Sequence, residues 1–145
     1  KIELVNINKI LELNLLDMFI DELRIINTKL ISCPSLEELI IPIDEIYLDD
    51  VKLKFKFDFT ELIDEEETLT KLTLRDCSLN QINMYNLIEK LLKEKIDDKD
   101  MYFELNIYYC DHYIGIISNE KINELIKSLG NVDYYNEHFK YEIET

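Results

Sequence analysis

Apolar residues recur along this chain in one phrase. An apolar residue is followed by two others, Leu, one other, an apolar residue, two others, a small or polar residue, one other and an apolar residue. It reads Ile20-x-x-Leu23-x-Ile25-x-x-Thr28-x-Leu30, then Leu36-x-x-Leu39-x-Ile41-x-x-Asp44-x-Ile46, then Leu69-x-x-Leu72-x-Leu74-x-x-Cys77-x-Leu79. Shorter copies lie at Leu53-x-Phe55-x-x-Asp58, Leu105-x-Ile107-x-x-Cys110 and Phe139-x-Tyr141-x-x-Glu144. The alternation of the two central apolar residues is that of a short strand with one buried face. The short polar residue beyond it turns the chain inward, where its side chain can satisfy backbone groups that would otherwise go unpaired.

Longer spacings between copies leave room for helices. Gln81–Lys95 places Ile82, Tyr85, Ile88 (or Leu87), Leu91, Leu92 and Ile96 on one stripe, with Asn80 as its cap. Ser118–Leu129 buries Ile122, Leu125, Ile126 and Leu129, with Ser118 or Asn119 as cap and Gly130 as terminator. Each is followed by a strand-like run, Tyr102–Tyr109 and Phe139–Ile143. Near the N-terminus, Ile2–Leu4 reads as a strand returned by a short helix; an alternating strand at Leu11, Leu13 and Leu15 is the other reading of that segment.

The phrase resembles the consensus of the leucine-rich-repeat family, LxxLxLxxN/C/TxL, closely over Ile20 to Leu79 and loosely over Met101 to Glu144. The resemblance implies an α/β solenoid in which short strands form one curved parallel sheet, with helical returns in the C-terminal half. It makes 1–145 a single domain, with short strand-rich repeats over 1–79 and two longer strand–helix repeats over 80–145. Counted from the first strand position, the copies begin at 23, 39, 53, 72, 105 and 139. The early steps are shorter than the family's period of about 20 to 29 residues, and 47–59 reads alternatively as a hairpin. In such arrays the residues between the strand leucines project from the open face of the sheet. The resemblance therefore makes Arg24, Asn27, Thr73, Arg75, Asp76, Asn106, Tyr108 and Tyr109, along with Ile26 and Ile40, the contact candidates.

Charge narrows the choice of partner. Sixteen basic against 31 acidic residues give a net −15, a field that repels phosphate backbones and anionic membranes. The expected partner is another protein with a basic surface, with no direct nucleic acid, no membrane, no cofactor and no small-molecule substrate. The stretch Lys52–Phe59 alternates Lys52, Lys54 and Lys56 with Leu53, Phe55, Phe57 and Phe59. It reads as an antiparallel or edge strand whose lysines guard the edge or pair with acids. The aromatics fall on the opposite face from the lysines, which does not suit single-stranded nucleic acid. The acidic clusters Asp44-Glu45, Asp49-Asp50, Asp64–Glu67 and Asp97-Asp98 with Asp100 lack the central Gly of a calcium loop and read as solvated loops.

Three cysteines at long spacing, Cys33, Cys77 and Cys110, do not make a disulfide framework, and no Asn-x-Ser/Thr triplet occurs. An intracellular, reducing setting is expected, and the absence of Ala with few Gly, Pro and Arg points to an AT-rich parasite or viral genome. Cys77 and Cys110 occupy the turn position of the phrase, where a thiol packs as a small hydrophobe. The rival chemistry is a metal site or enzyme centred on Cys110, Asp111 and His112, which lacks the second short ligand pair that a zinc site usually shows. A further alternative is a structural subunit of a larger assembly, even a ribonucleoprotein. No Ser-His-Asp order, HExxH or glycine-rich phosphate loop is present. The leading expectation is a non-catalytic protein–protein interaction module.

Overall fold

A computed structural model describes residues 1–13, 20–31, 43–53, 58–62, 69–78, 83–97, 101–111 and 117–145. Among these, seven strands form one sheet: β1 (Ile2–Val5), β2 (Lys9–Ile10), β3 (Ile20–Leu30), β4 (Ile43–Leu53), β5 (Lys71–Arg75), β6 (Phe103–Tyr108) and β7 (Phe139–Glu144). Every pairing is parallel, and the order β1-β3-β4-β5-β6-β7 follows the chain, with β2 beside β3. One rung runs Ile2, Leu23, Ile46, Leu72, Leu105, Tyr141, so successive strands are 21, 23, 26, 33 and 36 residues apart.

This register corrects three copies of the repeated phrase, those begun at Leu39, Leu53 and Phe139. The copy in phase with Leu23 is Ile43-x-x-Ile46-x-Leu48-x-x-Val51-x-Leu53, not the one at Leu39. Asp44 precedes the rung, and the turn position opposite Thr28 is held by Val51. A step of 16 residues is too short to leave a strand and return beside it in parallel, which needs a crossover of about a dozen residues or more; 23 suffices. The last copy likewise shifts, since Phe139 pairs with Phe103 and it is Tyr141 that pairs with Leu105. Lys52 and Leu53 end β4 and pair parallel with Lys29 and Leu30, in place of the expected antiparallel strand or hairpin. Lys54, Phe55 and Phe57 lie outside the described residues, as do Cys33, Leu36, Leu39, Ile40, Ile41, Asn80, Ile82 and His112.

One face of the sheet is the core. Leu23, Ile25, Ile46, Leu48, Leu72, Leu74, Leu105 and Ile107 are buried in two adjacent rungs. Behind them pack a 3-10 turn (Phe59–Leu62), α1 (Met84–Lys90) continued by a π-helical stretch (Leu91–Asp97), α2 (Asn119–Leu129) and α3 (Val132–His138). The helix expected from residue 81 starts at Met84, because the Asn83 side chain caps it by accepting from the Asn86 N–H at 3.1 Å. Its stripe is buried as expected at Ile88, Leu91, Leu92 and Ile96. Helix α2 matches its expected bounds, with Ser118 accepting from the Lys121 N–H and Gly130 ending it at φ 77°. Phe59 is buried and stacks on Phe103, centroids 5.8 Å apart, bracing the turn against β6.

Beyond the core rungs the strands turn a common corner. Asn6, Asn27, Asp50, Asp76 and Tyr109 align across the sheet and all have φ between 48° and 58°. Asn and Asp tolerate this left-handed conformation better than other non-glycine residues; Tyr109 is the costly member. The next position, Thr28, Val51, Cys77 and Cys110, turns back into the core. There Thr28 Oγ1 donates to the Ile26 carbonyl at 3.0 Å and accepts from the Ile7 N–H at 3.4 Å. Cys77 and Cys110 donate to the Arg75 and Tyr108 carbonyls in the same way, and the Cys77 N–H donates to Cys110 Sγ at 3.4 Å. The repeated polar position thus bonds the carbonyl two residues back, across the corner.

At the other end, β7 is finished by a side chain. Alternate residues of a parallel strand aim both backbone groups at alternate neighbours. Tyr109 N–H donates to the Glu144 carbonyl, so Glu144 faces β6 and Ile143 faces away from it. The Asn119 amide sits against that outward pair, Nδ2 donating to Ile143 O and Oδ1 accepting from Ile143 N–H, both at 3.0 Å.

Two stability outcomes follow from these contacts. Asp50→Val forces a β-branched residue into the left-handed corner and should cost about 1–2 kcal/mol more in urea unfolding than Asp50→Gly, which loses the same carboxylate. Asn119→Ala leaves both Ile143 groups without the amide and should lose roughly 1–3 kcal/mol by the same measurement.

Candidate functional site

The face of the sheet opposite the core carries three outward rungs. The first is Lys1, Glu22, Glu45, Lys71, Glu104 and Lys140; the second Glu3, Arg24, Tyr47, Thr73, Asn106 and Glu142; the third Val5, Ile26, Asp49, Arg75, Tyr108 and Glu144. Each comes from the same alternation that buries the leucines: if Leu23 and Ile25 point inward, Arg24 and Ile26 must point outward.

Five of the eight contact candidates stand on this face: Arg24, Thr73, Arg75, Asn106 and Tyr108. The other three, Asn27, Asp76 and Tyr109, belong to the corner column instead. Thr73 and Asn106 were expected to project freely, and here the structure differs: each is only 8% exposed. They are short side chains in the middle rung, overshadowed by the long ones on either side. Together they floor a depression of about 250 Å³ walled by Arg24, Tyr47, Lys71 and Tyr108. Tyr47, Asp49, Lys71, Glu104, Glu142 and Glu144 belong to the same face and were not among the candidates. Tyr47 and Asp49 were missed because β4 was read out of phase.

The face is cross-linked by charge and aromatic contact. The Arg24 guanidinium lies 4.3 Å from the Tyr47 ring centroid, and it ion-pairs with Glu22 at 3.4 Å and Glu3 at 3.5 Å. Arg75 sits 5.7 Å from the Tyr108 ring and 5.9 Å from that of Tyr109. Hydrogen bonding with Tyr47, with Asp49 and Asp76 close by, pushes its pKa above the ordinary value. Asn106 Nδ2 donates to Glu104 at 2.9 Å, and Glu104 also pairs with Lys71 at 3.5 Å. Tyr108 donates its hydroxyl to Glu142 and Tyr109 donates to Glu144, both at 2.8 Å. Loss of water around the ring, then the Glu142 bond, lifts the Tyr108 phenol from 10 to about 12. The bond to Glu144 raises Tyr109 as well. Pairs of this exposure contribute little stability singly, but they hold rotamers in place. The arrangement can present phenol rings and carboxylates in fixed positions to a neighbouring molecule.

The two thiols among the described residues, Cys77 and Cys110, are free and buried in the core layer, not on this face. The contact with Cys110 Sγ, followed by burial, raises the pKa of Cys77. Asp111 follows at an exposed position where its N–H donates to the Cys77 carbonyl at 3.1 Å. Among the described residues no three His, Cys, Asp or Glu side chains gather in a way that could hold a metal ion.

A raised phenol pKa favours the neutral form in the fold. The stabilisation from Tyr108 is therefore complete below pH 10 and lost as the pH climbs through about 12. Tyr108→Phe should remove one late-ionising phenol from the ultraviolet phenolate titration and soften the alkaline loss of stability in that window.

No family model, curated protein or solved structure matches the chain.

Proposed function

We propose that the chain is a non-catalytic protein–protein interaction module of leucine-rich-repeat type, which receives a partner protein with a basic surface on its outward sheet face. The observation that carries this reading is the open face of an all-parallel sheet. Parallel sheets are normally covered by helices on both sides; here the described helices pack behind one side, and the other carries Tyr47, Tyr108, Arg24 and Arg75 among carboxylates. Stacked repeats are the architecture that leaves such a face uncovered, and they use it for binding.

Parallel strands in chain order, 21 to 36 residues apart, support the repeat reading, as does the turn position shared by Thr28, Cys77 and Cys110. Tyr and Arg are enriched at interface centres because they bring large amphipathic area at modest entropic cost. The carboxylates of Asp49, Glu142 and Glu144 give the face, like the chain of net −15, an acidic complement to a basic partner. No described helix is long and apolar enough to cross a membrane. A reducing compartment keeps Cys77 and Cys110 as the thiols they are in the fold.

The test is capture of partners from the native source by the intact chain, compared with the double variant Tyr108→Ala/Tyr109→Ala and with Lys127→Glu on α2 as control. The double variant, which removes one ring from the face and one from the adjoining corner, should lose the partner while its circular dichroism and Tm stay near those of the parent. Wild-type capture should weaken as salt rises, as acidic–basic association does. Undiminished capture by the double variant would overturn the placement.

A further inference from the structure

Past the corner, the ladder carries a feature separate from the sheet face. Lys9 of β2 stands opposite Lys29 of β3, and Lys29 stands opposite Lys52 of β4. Three ammonium groups share one rung in a chain with nearly twice as many acids as bases. Like charges at directly paired strand positions are destabilising, and a lysine usually relieves this by reaching a carboxylate. Lys1, Lys71, Lys90 and Lys93 do so, at 2.6 to 3.6 Å. None of Lys9, Lys29 and Lys52 forms an ion pair with a described carboxylate.

A hollow of about 390 Å³ opens beside this rung, lined by Lys29 and Lys52 together with the amides Asn6, Asn8 and Asn27. Asn8 reaches it because β1 and β2 carry one residue more than β3 between the pairs Val5–Ile26 and Lys9–Lys29, a bulge that adds a side chain to the rim. Asn27 Nδ2 donates to Asn6 Oδ1 at 3.0 Å, which fixes the two amides relative to each other. Each amide nitrogen carries two N–H donors. Asp50 also lines the hollow, so one carboxylate stands against two lysines, or three with Lys9.

We propose that this hollow is an anion site for a phosphate monoester group. The lysines supply charge and the amides supply directed N–H donors, which match a tetrahedral group with three acceptor oxygens and a charge near −2. The group must be compact. Within a Debye length of about 8 Å a small dianion is governed by the lysine rung. A polyanion long enough to run beyond it meets the acidic remainder of the surface and is repelled. The site uses none of the sheet-face residues, so it stands or falls independently of the partner-binding reading.

The experiment is calorimetric titration of the intact chain at low ionic strength with inorganic phosphate, a phosphoserine peptide and the same peptide unphosphorylated. Saturable binding of a phosphate-bearing probe is expected, with a rise in Tm, and Lys29→Gln/Lys52→Gln should weaken it by about tenfold or more. In phosphate-free buffer that variant should melt slightly higher than the parent, because the like-charge rung is relieved; circular dichroism confirms that it folds. Lys127→Gln should change neither quantity. Tighter binding of the phosphopeptide than of phosphate assigns the group to a partner's side chain, and equal binding assigns it to a free phosphate; both support the site. Absence of saturable binding by either probe overturns the site, as does full retention by the double variant or an equal Tm rise with chloride at matched ionic strength.

Discussion

Everything in this fold depends on strict register in one parallel ladder. The side-chain period of a strand is two, so a slip of one residue would carry every leucine of a strand from core to solvent. Six successive positions, from Ile2 to Tyr141, must therefore coincide, and with them the corner at Asn6, Asn27, Asp50, Asp76 and Tyr109. What varies is only the length of chain between strands. That tolerance follows from the weak dependence of loop closure on loop length, and it lets returns range from short links to the paired helices α2 and α3 without disturbing the rungs.

The same ladder makes two surfaces from one alternation. Residues of one parity pack against the helices and the 3-10 turn; residues of the other line up in rows that cross the strands. Row formation explains both the fixed tyrosines and carboxylates of the sheet face and the stacked lysines past the corner. Neither is encoded by neighbouring residues in the chain. Each arises because strands 21 to 36 residues apart in the chain fall side by side.

Much of the fold is legible in the sequence. Strands β3, β5 and β6 carry strong alternation, the step from Ile2 to Leu23 is a normal repeat, and Ser118 and Gly130 mark α2 at both ends. Strand β4 was misread because two apolar series compete there. The consensus favours the one with more leucine, Leu36 and Leu39, whereas parallel pairing requires only apolar residues at a feasible distance. Val51 at the polar position hid the correct phase. Helix α3 went unseen because its seven residues bury only Tyr135. Of the contact candidates, Arg24, Thr73, Arg75, Asn106 and Tyr108 lie on the side opposite the core, as alternation implies, but the burial of Thr73 and Asn106 depends on the lengths of flanking side chains from neighbouring strands. The lysine rung was invisible for the same reason, because Lys9, Lys29 and Lys52 look like scattered charges until they are paired.

The amide of Asn119 on Ile143 has a consequence for how copies of this protein meet. A terminal strand with unpaired backbone groups is a template on which another chain can grow, the route by which many β-rich proteins join into fibres. Here any incoming strand at the level of Ile143 must first dislodge a side chain that already makes both hydrogen bonds it would offer. A single asparagine at the start of a helix thus occupies, at the level of Ile143, the pair of backbone groups that an added strand would need.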